Sequence, residues 1–222
     1  MISQDRIREL LTPFGLALTS DQVNRLQAYL ELLLRWNTKI NLTSVRDADQ
    51  CVARHFGESL YLTKFVQLEG CLLDVGSGAG FPGLALKITF PGLHVTLLEP
   101  AGKKRAFLKE AARACEMDLV EVRPERLGEF VKQQIERGRH RRFDAATSRA
   151  VGQMRALIPD VTECLEPHGS VYLWVSRRQH EEVCGASEGL IDWGTPVPLP
   201  LAQHREIWRG RAVANVPRET FH

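Results

Sequence analysis

The chain has 222 residues, 44% of them hydrophobic, and its 29 Lys+Arg against 27 Asp+Glu give a formal charge of +2. That balance excludes a disordered charged tail and an indiscriminate polyanion binder, and about 70–75% of the unfolded surface of a chain this long is buried on folding, enough for a core without staples. Five widely spaced cysteines with no Cys-x-x-Cys pair suggest neither a disulfide framework nor a zinc knuckle, and a reducing cytoplasm is the expected compartment.

The first segment, over residues 2–11, reads as a short helix ending at Thr12-Pro13. Its charges at Asp5, Arg6, Arg8 and Glu9 argue against an apolar signal region. A second helix is expected from Ser20, its N-cap, to Trp36-Asn37, because Val23, Leu26, Leu30, Leu33 and Leu34 recur at helical spacing. A third runs from about Ala48 through His55 toward Leu62. Residues 1–66 are thus expected to form a helical cap, and residues 67–222 a second domain.

After Gly70 the texture changes. Apolar runs at 71–73, 94–98, 119–122, 143–147 and 171–175 alternate with segments of helical period, which predicts βαβ units and a mostly parallel sheet. Residues 196–199 and 207–216 lack a helix between them and are expected to close the sheet as an antiparallel hairpin. The charge run at 137–142 carries four arginines. It precedes the fourth strand and so falls on the edge away from the ligand side, where it serves solubility. No stretch approaches the roughly 18 apolar residues of a membrane span. The seven histidines are scattered, and no metal site is expected.

The most informative stretch is Asp74-Val-Gly-Ser-Gly-Ala-Gly-Phe-Pro-Gly83, where a strand runs into glycines and then a helix. Glycines at 76, 78 and 80 permit a tight turn with a ligand close to the backbone. The letters from Gly78 also satisfy the dinucleotide pattern Gly-x-Gly-x-x-Gly, so the flanking charge decides. Asp74 at the strand's end would repel a pyrophosphate, which disfavours a nicotinamide oxidoreductase. It suits S-adenosylmethionine, which carries an ammonium and a sulfonium. Val95-Thr-Leu-Leu-Glu99 ends a second strand on a carboxylate placed to accept from two ribose hydroxyls. The expected fold is therefore α/β: a Rossmann-like class I S-adenosylmethionine-dependent methyltransferase sheet, mostly parallel with an antiparallel C-terminal hairpin, under a helical N-terminal cap.

Beyond the loop, several segments together resemble the glucose-inhibited division protein B family, also called ribosomal RNA small subunit methyltransferase G. They are Trp36-Asn37 with Asn41-Leu-Thr-Ser44, Arg54-His55 with Glu58-Ser-Leu60, the glycine loop, Leu97-Leu-Glu99 with Lys103-Lys104, and Ser148-Arg149-Ala150. The resemblance implies a cytoplasmic enzyme that methylates N7 of a guanine in bacterial 16S ribosomal RNA, with S-adenosylmethionine as cofactor and the small ribosomal subunit as partner. It implies no membrane and no obligate protein partner. By residue it implies cofactor contacts at Gly76, Phe81, Leu127, Gly128 and Arg149, beside Asp74, Gly78, Gly80 and Glu99 from the loop reading.

Arg149 is the candidate catalytic residue, in a positioning role. N7 of guanine carries a free lone pair, so no general base is needed. Arg54, His55, Lys103, Lys104 and Arg205 are RNA-binding candidates. Against each stands a plain structural role: an ion pair for Arg149, packing for His55, a solvated helix face for the lysines. This chain departs from the family at Val175-Ser176, where many members carry Lys-Gly, and at Glu58, where Asp is usual. Two other readings stay open: a small-molecule methyltransferase of the same fold, and a non-catalytic RNA-binding assembly factor on a methyltransferase core.

Overall fold

The structure, a computed structural model, describes residues 2–136, 142–149 and 154–213. Most of the arginine run, Ala150, and the end of the expected hairpin beyond Val213 lie outside the described residues.

Helix α1 (Gln4–Leu11) starts at Ser3, whose hydroxyl accepts from the Arg6 amide. Helix α2 (Ser20–Asn37) is capped one residue earlier than the expected Ser20. Thr19 takes the position because Gln22 then falls three residues on and its side chain accepts from the Thr19 amide, closing a capping box; from Ser20 that position would be the apolar Val23. The third helical segment opens as α3 (Ala48–Cys51), widens into a π turn at Val52–Gly57, and resumes as α4 (Glu58–Leu60).

The sheet begins with β1 (Cys71–Val75), which leads through the glycine loop to α5 (Gly83–Thr89). Then come β2 (His94–Leu98), α6 (Gly102–Ala114), β3 (Val120–Arg123) and α7 (Leu127–Glu136). β4 (Phe143–Arg149), α8 (Met154–Cys164), β5 (Leu165–Ser176), α9 (His180–Ser187), β6 (Ile191–Trp193), β7 (Val197–Pro198) and β8 (Arg205–Ala212) complete the described chain.

Strand order is β3-β2-β1-β4-β5-β8-β6, with the first five parallel. The C-terminal strands correct the expectation of a simple hairpin. β7 meets β8 through two residue pairs only, while β8 inserts antiparallel between β5 and the unforeseen edge strand β6. With only three residues, β6 shows too short an alternation to be read from sequence.

Alternating strand residues feed two cores. Leu72, Val95, Leu97, Tyr172 and Trp174 join the N-terminal helices, α5 and α6 in one. Leu73, Val75, Leu98, Leu173 and Val175 join α7, α8 and α9 in the other. The chain reverses direction across the sheet between β1 and β4, which is the switch point where ligands of open α/β sheets bind, beyond the carboxyl ends of the strands. No helix among the described residues is long and apolar enough to cross a membrane, and none of their His, Cys, Asp or Glu side chains group to hold a metal ion.

Candidate active site

The glycine loop leaves β1 and folds back over the end of β2, with the amides of Gly76 and Ser77 both donating to the Leu98 carbonyl. Glu99 then braces it: Oε2 accepts from the Gly78 amide at 2.9 Å and Oε1 from the Ala101 amide at 2.8 Å. Gly78 has φ +57°, a backbone conformation costly for other residues. Gly80 (φ +87°) is a glycine for a different reason, since a Cβ there would strike the Tyr29 hydroxyl and Leu84. That hydroxyl donates to the Ala79 carbonyl, so α2 clamps the loop from above.

Two clefts open at this end of the sheet. The first, of about 450 Å³, is lined by Val75, Gly76, Leu98 and Glu99 on one side and by Arg126, Leu127, Gly128 and Leu157 on the other, with Lys104 and Arg149 at its margins. Its size and mixed lining suit a nucleoside-sized ligand. S-adenosylmethionine fits the donor set: Leu98, Leu127 and Leu157 supply apolar walls for a base, and each Glu99 oxygen keeps a lone pair for a ribose hydroxyl after serving the two amides. The second cleft, of about 320 Å³, lies under the N-terminal helices and is lined by Thr43, His55, Glu58, Gly78, Phe81, Trp174, Ser176 and Arg205 among others. The clefts share two residues, Gly76 and Arg149.

The second cleft is assembled from distant pieces. Asn37 at the end of α2 accepts from the amides of Leu42 and Thr43 and donates to the Val45 carbonyl, which explains why Trp36-Asn37 and Asn41-Leu-Thr-Ser44 form one unit. That bend presents the Thr43 hydroxyl to His55 Nε2 at 2.7 Å. The His55 ring stacks on Phe81 at 5.0 Å, and Phe81 stacks in turn on Tyr29 at 5.4 Å. Burial first, and then the charges of Arg149, Arg54 and Arg205, push the imidazole down to about 3, so His55 is neutral near pH 7. Arg149, at the end of β4, donates to the Arg54 carbonyl at 2.6 Å and to Glu58 Oε2 at 2.8 Å. Arg205, at the start of β8, grips both oxygens of the same carboxylate at 2.8 and 2.6 Å.

The structure brings Gly76, Glu99, Leu127, Gly128, Lys104 and Arg149 together at the first cleft, and Gly78, Phe81, His55 and Arg205 at the second. It does not bring Asp74, Gly80 or Lys103 to either. Asp74 was expected to face the ligand, but it is fully buried below the loop, where Oδ1 accepts from Thr147 and Oδ2 lies against Gly83. Burial pushes its carboxyl up to about 6 against the pull of these neighbours. Lys103 lies exposed on α6. The Arg54 side chain is exposed and acts on the site through its charge, while its carbonyl accepts from Arg149. Glu58 belongs to a segment that carries the family likeness but the sequence assigns it no role, and Trp174 lies in no motif, although a glutamate in the mostly apolar stretch 56–62 is a signal of a buried charge with partners.

The sequence matches a known group. A family model described as rRNA small subunit methyltransferase G matches residues 22–192. The chain belongs to this family. Its relatives include the ribosomal RNA small subunit methyltransferase G of Chloroflexus aggregans, 36% identical over 206 residues that cover 90% of this chain and 85% of the relative. Another, from Halorhodospira halophila, is 36% identical and covers 82% and 83% of the two chains. Among solved structures, a ribosomal protein L11 methylase from Lactobacillus delbrueckii subsp. bulgaricus superposes with a TM-score of 0.59 at 15% identity over 72% of this chain and 79% of its own. It shares the fold of this family member. The motifs that carry the family likeness line the two clefts or brace them.

Proposed function

We propose that the chain transfers the methyl group of S-adenosylmethionine to N7 of a guanine in the 16S ribosomal RNA of the small ribosomal subunit, in the cytoplasm. The observation that carries this reading is the pair of clefts meeting at Gly76 and Arg149: a ligand in the first and a base in the second would face each other across that wall. S-adenosylmethionine supplies an electrophilic methyl when bound, and methylation of a lone pair needs alignment more than proton transfer.

The second cleft agrees with that demand. His55 is neutral and already paired with Thr43, and Glu58 is committed to two arginines, so neither stands as a free base. In this reading Glu99, Gly76, Leu127 and Gly128 hold the cofactor, and Arg149 positions donor and acceptor. Phe81 and His55 form the stacked floor of the base cleft, Arg205 lines its side next to Glu58, and Arg54, Lys103 and Lys104 meet the RNA backbone outside it. Asp74 and Gly80 shape the loop rather than touch the ligand. A small-molecule methyltransferase would need the second cleft closed over its substrate, and a non-catalytic factor would not need the Glu99 brace.

Incubation with methyl-labelled S-adenosylmethionine, small subunits, naked 16S RNA and large subunits tests the reading. Label recovered as 7-methylguanosine from the small subunit or its RNA is expected. Label in another nucleoside, or none above the large-subunit control, defeats it.

A further inference from the structure

We propose that Glu58 is a positioning residue for methyl transfer, one carboxylate that gathers Arg149 and Arg205 onto one side of the base cleft and so sets the wall between the two clefts. The proposal rests on the guanine-methylation reading above.

The geometry points to Glu58 from three sides. Its side chain is 3% exposed, yet it accepts three guanidinium hydrogen bonds from residues 91 and 147 positions away. No local helical pairing accounts for such partners. They come from β4 and β8, strands on opposite sides of β5, so the carboxylate ties both to the N-terminal helices. The intervening strand is tied too, because Trp174 on β5 donates its indole N–H to the Glu58 carbonyl at 2.8 Å.

The π turn before Glu58 completes the arrangement. The Glu58 amide donates to the carbonyls of Ala53 and His55, leaving the Arg54 carbonyl, its partner in a regular helix, to accept from Arg149. Arg149 Nη2 is therefore held by a carbonyl and a carboxylate, while Nη1 makes longer bonds of 3.4 Å to the His55 carbonyl and the Ser59 hydroxyl, so the guanidinium is fixed in direction.

The charge is placed for the chemistry. Two guanidinium groups facing a guanine would oppose a reaction whose product base is a cation, and an arginine fork aimed at N7 would occupy the reacting lone pair. Glu58 cancels one of the two charges and draws both forks toward itself. Buried ion pairs of this kind contribute little net stability and leave a strongly unfavourable charge when one partner is lost, so their use lies in fixing geometry.

The test compares Glu58→Gln, Glu58→Asp, Arg205→Ala and the Glu58→Gln/Arg205→Ala double variant, with wild type on small subunits as the reference. For Glu58→Gln we expect kcat to fall more than about tenfold while cofactor affinity by calorimetry stays within about threefold, since the Glu99 and Leu127 walls of the cofactor cleft are untouched and only Arg149 at its margin is released. Glu58→Asp recovers most of that turnover. The double variant loses no more than Glu58→Gln alone, because the glutamate acts through the arginine. Arginine side-chain N–H signals in NMR, resolved in the wild type by slowed guanidinium rotation, collapse in Glu58→Gln.

Turnover of Glu58→Gln within about threefold of wild type overturns the proposal. So does equal loss in the Gln and Asp variants in step with melting temperature, which marks a structural role only. If wild type transfers no methyl to any RNA, the functional reading fails by itself, and unchanged arginine signals in Glu58→Gln then refute the positioning role independently.

Discussion

The two clefts that meet at Gly76 and Arg149 are built by different means. The first is made mainly from turns that directly follow β1, β2 and β3, so most of its lining residues stand next to the strand that positions them, with α8 closing the far wall. The second is made from a bend after α2, a π turn, and the ends of β4, β5 and β8, joined by one buried carboxylate. A cleft of consecutive strand ends comes with the sheet, whereas a cleft of remote pieces needs dedicated struts. The difference teaches where the molecule is vulnerable: a single side chain can dismantle the second cleft while the first survives.

Arg149 is where the distinction should fail, because it belongs to both. Arg149→Ala is expected to lower turnover by about 10²-fold with the fold retained, a loss typical of a misaligned site. Methylation close to wild type in single-turnover assays would remove Arg149 from the site. Glu99 sharpens the contrast in the other direction. Glu99→Ala removes the brace on Gly78 and Ala101 and, under the proposed function, the ribose acceptor; a charged hydrogen bond contributes about 1.5–3 kcal/mol, so the cofactor Kd should rise at least about tenfold. Calorimetry decides, and an unchanged Kd would place the cofactor elsewhere.

The smallest expected effect concerns two buried groups of opposite sense. The unfolded imidazole of His55 takes up a proton near pH 6.5, but in the folded chain it does so only near 3, so stability through His55 is lost as pH falls across that interval. Asp74 binds its proton near pH 6 when folded and near 3.8 when unfolded, so stability through Asp74 is gained as pH falls across that narrower interval. The two offset each other between about pH 4 and 6. Asp74→Asn removes one side, and the variant's stability should then decline with acid more steeply than wild type, by up to about 1.4 kcal/mol per pH unit. Denaturant melts at pH 6.0, 5.0 and 4.5 check this, and parallel curves for the two proteins would refute it.

What was legible in the chain follows the same division. The parallel strands, the glycine loop and Glu99 are local patterns, readable because each pairs a short apolar run with its own turn. Asp74 was read as ending the strand and facing the ligand, and the structure buries its side chain beneath the loop. Sequence shows that a carboxylate ends the strand, but not that Thr147 from the neighbouring strand covers it. Gly80 belongs to the motif, yet what demands a glycine there is Tyr29, 51 positions earlier, a contact with no trace in the loop's own letters. Ser20 lost the N-cap to Thr19 because a reciprocal glutamine three residues on decides between two adjacent hydroxyls.

The opening charge of +2 illustrates the limit. Sequence by itself determined the α/β class, the glycine loop and the family, because strand period, turn chemistry and motif order act over a few residues at a time. Only the tertiary structure decided that Glu58 faces Arg149 and Arg205, that His55 is neutral beside Thr43, and that Asp74 is sealed beneath the loop. Those facts depend on which side chains meet across the sheet and lose their water together, and desolvation and ion pairing are set by neighbours in space rather than neighbours in the chain.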